Sequence, residues 1–208
     1  MSITFPRSDS PSSPKPNAVA LTQQSTTGVV TSPFTGTAQV VEWPAEWWAM
    51  ELAFPPMKRT DAEAWIAFLQ SMRGMLGTFL YGDPSYQGAR GVATGTPVVD
   101  GAQTAGSKTL ATTGWTASQT GILKAGDYFQ VGTGASTRLH KVLKDADSDG
   151  SGNATLDIFP RLREALTDGA AITLSNPKGT FRLTDSKFQH SVNNARMYGI
   201  SFAIAEAL

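Results

Sequence analysis

Apolar and polar positions alternate in short runs along most of the chain, and one stretch between two such runs changes to a helical period. Gly36 to Trp43 reads as a strand, with Pro44-Ala45 as the turn into the next. In that next strand Trp48, Met50, Leu52 and Phe54 share one face, while Trp47, Ala49, Glu51 and Ala53 share the other. Pro55-Pro56 stops it. Thr60-Asp61-Ala62-Glu63 has the form of a capping box, in which the Thr60 hydroxyl and Glu63 carboxylate satisfy free amides at a helix start. Ala62, Trp65, Ile66, Leu69 and Met72 follow as one stripe, and Gly74 suits the left-handed residue after the last turn.

A short strand, Gly77–Tyr81, ends at Gly82-Asp83-Pro84. From Gly88 to about Asn176 the chain turns rich in Gly, Thr, Ala and Asp. Strand candidates recur there at Lys108–Thr112, Asp127–Val131, Thr137–Leu143, Ala154–Phe159 and Ala171–Leu174. Turn signals every ten or so residues predict a small barrel or sandwich. Thr180–Leu183 and Arg196–Glu206 close the chain, the latter with Tyr198, Ile200, Phe202 and Ile204 on one face. That face matches the one in Trp47–Phe54, so the two strands are expected in one sheet. The predicted fold is mainly β (α+β): an open-sheet or sandwich domain of residues 1–87 plus 177–208 with one capped helix, interrupted by a small β-barrel at 88–176. At the N-terminal end, the Ser- and Pro-rich residues 6–17 read as an extended arm, ordered only where a neighbour holds it. Val29 and Val30 start a strand before the Pro33 turn.

A length of 208 residues allows one sizeable core or two small ones. Lys plus Arg and Asp plus Glu are 17 each, so the net charge is zero and no basic surface for duplex binding is supplied. Only 16% of residues are charged, which points to a surface partly covered by partners. There are no cysteines, hence no disulfides or thiolate zinc sites. The first residues lack the apolar core of a signal peptide, and no run is apolar for the roughly 18 residues a membrane helix needs. A soluble chain without a membrane anchor is expected, made in the cytoplasm.

Candidate chemistry is sparse. Asp145-Ala146-Asp147-Ser148-Asp149-Gly150 opens like a calcium loop, but its twelfth position is Leu156 rather than a bidentate Glu, so a polar hairpin turn is preferred. Gly132-Thr133-Gly134 lacks the third glycine and the helix of a phosphate loop. His140 and His190 stand without nearby metal-ligating partners. No nucleophile elbow or zinc-protease motif occurs, so the expectation is a non-enzyme without metal or cofactor. Arg161 and Arg163 beside Glu164 read as a solvated hairpin end. Among the aromatics, Trp48 and Trp65 are core by period, and Trp47 is either half-buried or an interface anchor. Trp47, Trp43 and Tyr81 are the candidate interface residues.

The runs TSPFTG, EWWAMELAFPPMKRTDAEAWIAFLQSMRGMLGTFLYGDP and MYGISFAIAEAL together resemble the distal tail proteins of long non-contractile phage tails, including the lambda-like minor tail protein M family. The likeness covers Asp61–Arg73, Gly77–Pro84 and Arg196–Glu206 with their surroundings, about half the chain. The 88–176 insert departs from the minimal form, although larger members carry inserted β-barrels. The resemblance implies a ring, a hexamer, at the distal end of the virion's tail. It would bind the tail tube protein on one side and the hub or tail tip protein on the other, with the tape measure protein as a further partner and DNA only in transit. A neutral chain agrees, since a basic lumen would retard DNA. Two other classes stay open: a carbohydrate-binding module with Trp115, Tyr128 and Phe129 as its platform, and a tail-associated hydrolase.

Overall fold

In the computed structural model, which describes residues 3–208, the chain is mostly β with a single α-helix. Strands β1 (Ala18–Thr31) and β2 (Ala38–Ala53) form a long hairpin. Helix α1 (Arg59–Ser71) and β3 (Thr78–Tyr81) follow. Then come β4 (Gly95–Val99), β5 (Thr109–Trp115), β6 (Tyr128–Val131), β7 (Arg138–Val142), β8 (Ala154–Phe159) and β9 (Ile172–Thr173). The last strands are β10 (Gly179–Leu183), β11 (His190–Val192) and β12 (Tyr198–Glu206).

Two antiparallel sheets result. The first runs β1-β2-β12-β10-β3, with β11 added to the start of β12, so it draws on both ends of the chain. The pairing anticipated between the last strand and the Trp47–Phe54 strand is present: Ser201 lies opposite Ala53, and Ala205 opposite Ala49. The second sheet, β4-β5-β8-β7-β6-β9, curls into a nearly closed barrel, since Val98 of β4 bridges Ala171 just before β9. Gly82 lies where the chain leaves for the barrel, and a Cβ there would collide with the Pro177 carbonyl on the returning segment. Only glycine lets the outgoing and incoming segments pass so closely.

The inner face of the first sheet carries the helix. Met50, Leu52, Phe54, Phe79, Phe181, Ile200 and Ile204 are buried under the full α1 stripe, which Phe68 joins. Trp65 packs its ring 4.6 Å from Phe54 and 6.1 Å from Phe202, and Phe68 meets Phe79 edge-on at 5.3 Å. The barrel has its own core, with Leu110, Ile122, Leu123, Phe129, Val142 and Leu156 fully buried.

Four expectations are corrected. The helix begins two residues earlier than the capping box requires: Lys58 is the cap residue and makes no side-chain cap bond. Thr60 therefore lies inside the first turn, and Glu63 turns to Arg59 at 3.0 Å, an i,i+4 pair on the surface. Pro44 does not break the strand. Trp43, Pro44 and Ala45 together oppose Thr26 alone, and a proline without an N–H fits such a bulge where ladder bonds lapse. The stretch from Ala18 to Val29 is strand, although only Val19 and Leu21 give it an alternating apolar face. Finally, the N-terminal arm is held by its own chain. The Arg7 amide donates to the Thr78 carbonyl and the Arg7 carbonyl accepts from Leu80, covering the β3 edge. The Arg7 guanidinium sits over the Phe68 ring at 4.7 Å, and the Trp65 indole donates to Pro14 at 3.2 Å.

Trp65→Ala should cost about 3–5 kcal/mol in chemical denaturation, because a fully buried ring among Phe54, Phe68 and Phe202 leaves a cavity. Thr60→Ala should stay within about 0.5 kcal/mol, as for a surface change. A Thr60→Ala loss near 1 kcal/mol would restore the capping box.

Candidate assembly interface

What the first sheet can offer a partner depends on how firmly the barrel is seated against it. The junction centres on Trp48. Its indole donates to the Leu139 carbonyl at 3.1 Å, and its ring meets Phe159 at 4.8 Å and Tyr128 at 6.2 Å, both edge-on. Tyr128, Leu139 and Phe159 of the barrel thus belong to the first sheet's core. The Thr180 amide donates to Thr137 at 3.0 Å, joining β10 to the turn before β7.

Charged groups complete the junction. Arg161 and Arg163 are not a solvated hairpin end: their side chains are 12% and 13% exposed. Glu46 stands on the inner face of β2 and accepts from the Arg161 amide at 2.8 Å and its guanidinium at 3.1 Å. Arg161 also reaches Glu42, which takes a second bond from Lys108 at 2.6 Å. Glu206, near the end of β12, accepts from Arg163 at 3.3 Å and from the Trp48 amide at 3.4 Å. Burial raises the Glu206 carboxyl above the usual carboxylate range despite Arg163 and Arg138 nearby. The spacing of charges along the sequence could not announce these pairs, because the partners are separated by up to 119 residues.

His140 is fully buried, stacked on Phe129 at 5.4 Å, with Nδ1 2.8 Å from the Pro160 carbonyl. Burial drives its pKa down to about 4, with Arg163 and Arg138 adding to the effect and the Pro160 bond opposing it. His190 is instead exposed and stacks against Tyr198 at 5.9 Å. Among the described residues no three His, Asp or Glu side chains gather where they could hold a metal ion. In the acidic turn each aspartate is engaged by main chain: Asp145 accepts from Ala125 at 2.8 Å, Asp147 from Gly121 at 2.6 Å, and Asp149 from Ser151 and Asn153 at 2.8 Å. Gly132-Thr133-Gly134 lies in the β6–β7 hairpin connection.

The candidate interface residues fall in different places. Trp47 is half-buried on the sheet face away from the helix, opposite Gln24. Trp43 is 56% exposed beside Gly28 at the bulge. Tyr81 is buried in the first core, and burial pushes its hydroxyl up to about 12. The aromatic platform proposed for sugar does not form, since Trp115, Tyr128 and Phe129 are all buried. The exposed apolar groups sit elsewhere: Val29, Val30, Phe34, Val40, Val41 and Trp43 line the outer half of the β1–β2 hairpin. Alternation in Gly36–Trp43 was legible, but its lack of any covering element was not. Strand β1 pairs only with β2, and its other edge has no strand partner among the described residues.

In comparisons with known proteins, no family model matches the chain and a search of curated proteins returns no match.

Glu46→Ala should cost about 1–3 kcal/mol, because the Arg161 amide and guanidinium lose a buried acceptor while Glu42 still pairs the charge. Adding Arg161→Met should recover a large part of that loss, and denaturation of the single and double variants checks it. Stability should also fall on acidification. The unfolded His140 binds a proton near pH 6.5 and the folded one only near pH 4, so stability is full above 6.5 and declines between those values. That shift corresponds to about 3 kcal/mol. His140→Phe should flatten the decline across pH 6.5 to 4 whatever it does to stability at pH 7.

Proposed function

We propose that this chain is a structural subunit of a phage tail tip, a distal tail protein. It forms a ring that joins the tail tube to the hub and lets DNA pass. The observation that carries this reading is the sheet assembled from both chain ends, which leaves the 14-residue β1 as a bare edge. An open strand edge beside exposed apolar side chains is an aggregation hazard unless a partner covers it. The two ends of the sheet differ: β1 is bare, whereas β3 is covered by Arg7 of the same chain. Unlike ends favour a head-to-tail contact, and head-to-tail contacts close into rings when the rotation permits.

The resemblance of both flanks to distal tail proteins supplies the location: the far end of a virion tail, with tube and hub proteins as neighbours. The division into a belt of residues 1–87 with 177–208 and an inserted unit at 88–176 belongs to the same proposal, as does the hexamer. Net charge of zero suits a ring through which DNA travels. The ion pairs described above are spent within the chain, so contacts between subunits fall to strand edges and apolar groups, which salt screens little. The carbohydrate-binding alternative has lost its three platform residues to the core.

Electron microscopy of whole particles labelled with an antibody to this chain tests the reading. Label confined to the distal end of the tail is expected. Label along the tube, on the capsid, or missing from the particle would refute it.

A further inference from the structure

Beyond the bulge at Trp43–Ala45, the β1–β2 hairpin leaves the body of the protein. From Ser25 to Val41 it contains no charged residue. Four valines on it are 44–70% exposed, Trp43 is 56% exposed, and Phe34 at the tip is 95% exposed. Taking roughly 150 Å² for a valine and 200–250 Å² for an aromatic side chain, the bare surface is on the order of 700 Å². That is close to the about 800 Å² each partner buries in a stable interface. The hairpin cannot cover itself on its own barrel, because Glu42 at its base is tied to Lys108 and Arg161 while the tip stays free.

A groove of about 380 Å³ lies beside the bare β1 edge, between the first sheet and the barrel. Its apolar lining includes Leu21, Trp48, Val142, Leu143 and Phe159, and Lys141 is its one charged group. The Lys141 ammonium is already engaged, over the Tyr128 ring at 4.7 Å and on the Tyr128 hydroxyl at 3.2 Å. Leu143 on the rim is 56% exposed. Groove and hairpin are thus complementary in kind: an apolar slot next to unpaired main-chain groups, and an uncharged strand pair tipped by a phenyl ring.

We propose that the β1–β2 hairpin of one copy seats in this groove of a second copy, with Phe34 entering it and a hairpin strand extending the sheet at β1. A second copy fits better than a charged partner, because the hairpin carries no charge, the groove's one cation is already engaged by Tyr128, and a chain of net charge zero does not repel itself. The contact is head-to-tail, since hairpin and groove are different surfaces of one molecule. It deepens the ring reading, on which it rests for the identity of the occupant.

The chain has no native cysteine, so disulfide trapping reports one contact cleanly. The variant carrying Thr35→Cys and Leu143→Cys is oxidised at high protein concentration and its crosslinks are mapped by mass spectrometry. Intermolecular 35–143 links in a ladder are expected, and adding Phe34→Asp should lower their yield at least about tenfold, the loss typical of a removed hot-spot aromatic. Circular dichroism confirms that the Phe34→Asp chain keeps its fold, as an exposed tip residue should. Links only at 35–35 or 143–143, no links, links to another protein, or a yield indifferent to Phe34→Asp would overturn the contact. The ring reading fails separately: mapped 35–143 links in an open-ended series leave the contact standing and remove the ring. A closed ring without such links does the reverse.

Discussion

The rest of the first sheet depends on β12 occupying the slot between β2 and β10. Its middle residues pair with β2 through Ser201–Ala205, and its last ones with β10 through Ile204–Glu206. Without β12, the β1–β2 hairpin and the β3–β10 pair would be separate two-stranded pieces, each too small to be stable in water. Ile200 and Ile204 also close the core over α1, so the helix completes its burial only with β12 in place. Such distant pairing is paid for in loop-closure entropy, and the barrel between the flanks reduces that cost by bringing its entry and exit together at Gly82 and Pro177.

The same strand ties the sheet to the barrel. Glu206 sits beneath Trp48 and Arg163, and Glu46 on the neighbouring strand holds Arg161. Buried ion pairs are poor sources of net stability, because desolvation offsets much of the attraction, but they tolerate few alternative arrangements. Here they join the first sheet to the barrel at two places, Glu46 to Arg161 and Glu206 to Arg163. The Trp48 ring fills the space between the sheets, and the carboxylates on either side fix which arginine lies where. The groove beside β1 keeps its shape through this junction, since Trp48 and Phe159 form part of it.

Much of this fold was legible in the sequence. The strong alternation of Trp48–Phe54 and Tyr198–Ile204, the α1 stripe, and most barrel strands stand close to their expected positions, because each buries one face against a core. What eluded the sequence has physical reasons. Strand β1 is an edge with exposed polar residues, so its pattern is diluted. Pro44 normally ends a strand, and only a bulge in the pairing rescues it. Thr60 and Glu63 have the right chemistry for a cap but lie two positions too far into the helix. Arg161, Arg163 and His140 looked like surface or isolated groups because their partners come from remote segments. Of the candidate interface, Trp43 is exposed and Trp47 half-exposed, whereas Tyr81 lies in the core. The hairpin's exposure followed only from seeing that nothing packs on it.

The sheet is complete except at β1 and its hairpin, and in the proposed ring a neighbouring copy covers them. Amide hydrogen exchange, compared between the isolated chain and the assembled oligomer, tests it most directly. Amides of β12 and of Ala49–Ala53 should be strongly and equally protected in both states, opening only with global unfolding. The outward-facing amides of β1 and the hairpin should exchange quickly in the isolated chain and become protected on assembly. Equal exchange at β1 in both states, or β12 opening independently of β2, would contradict the account.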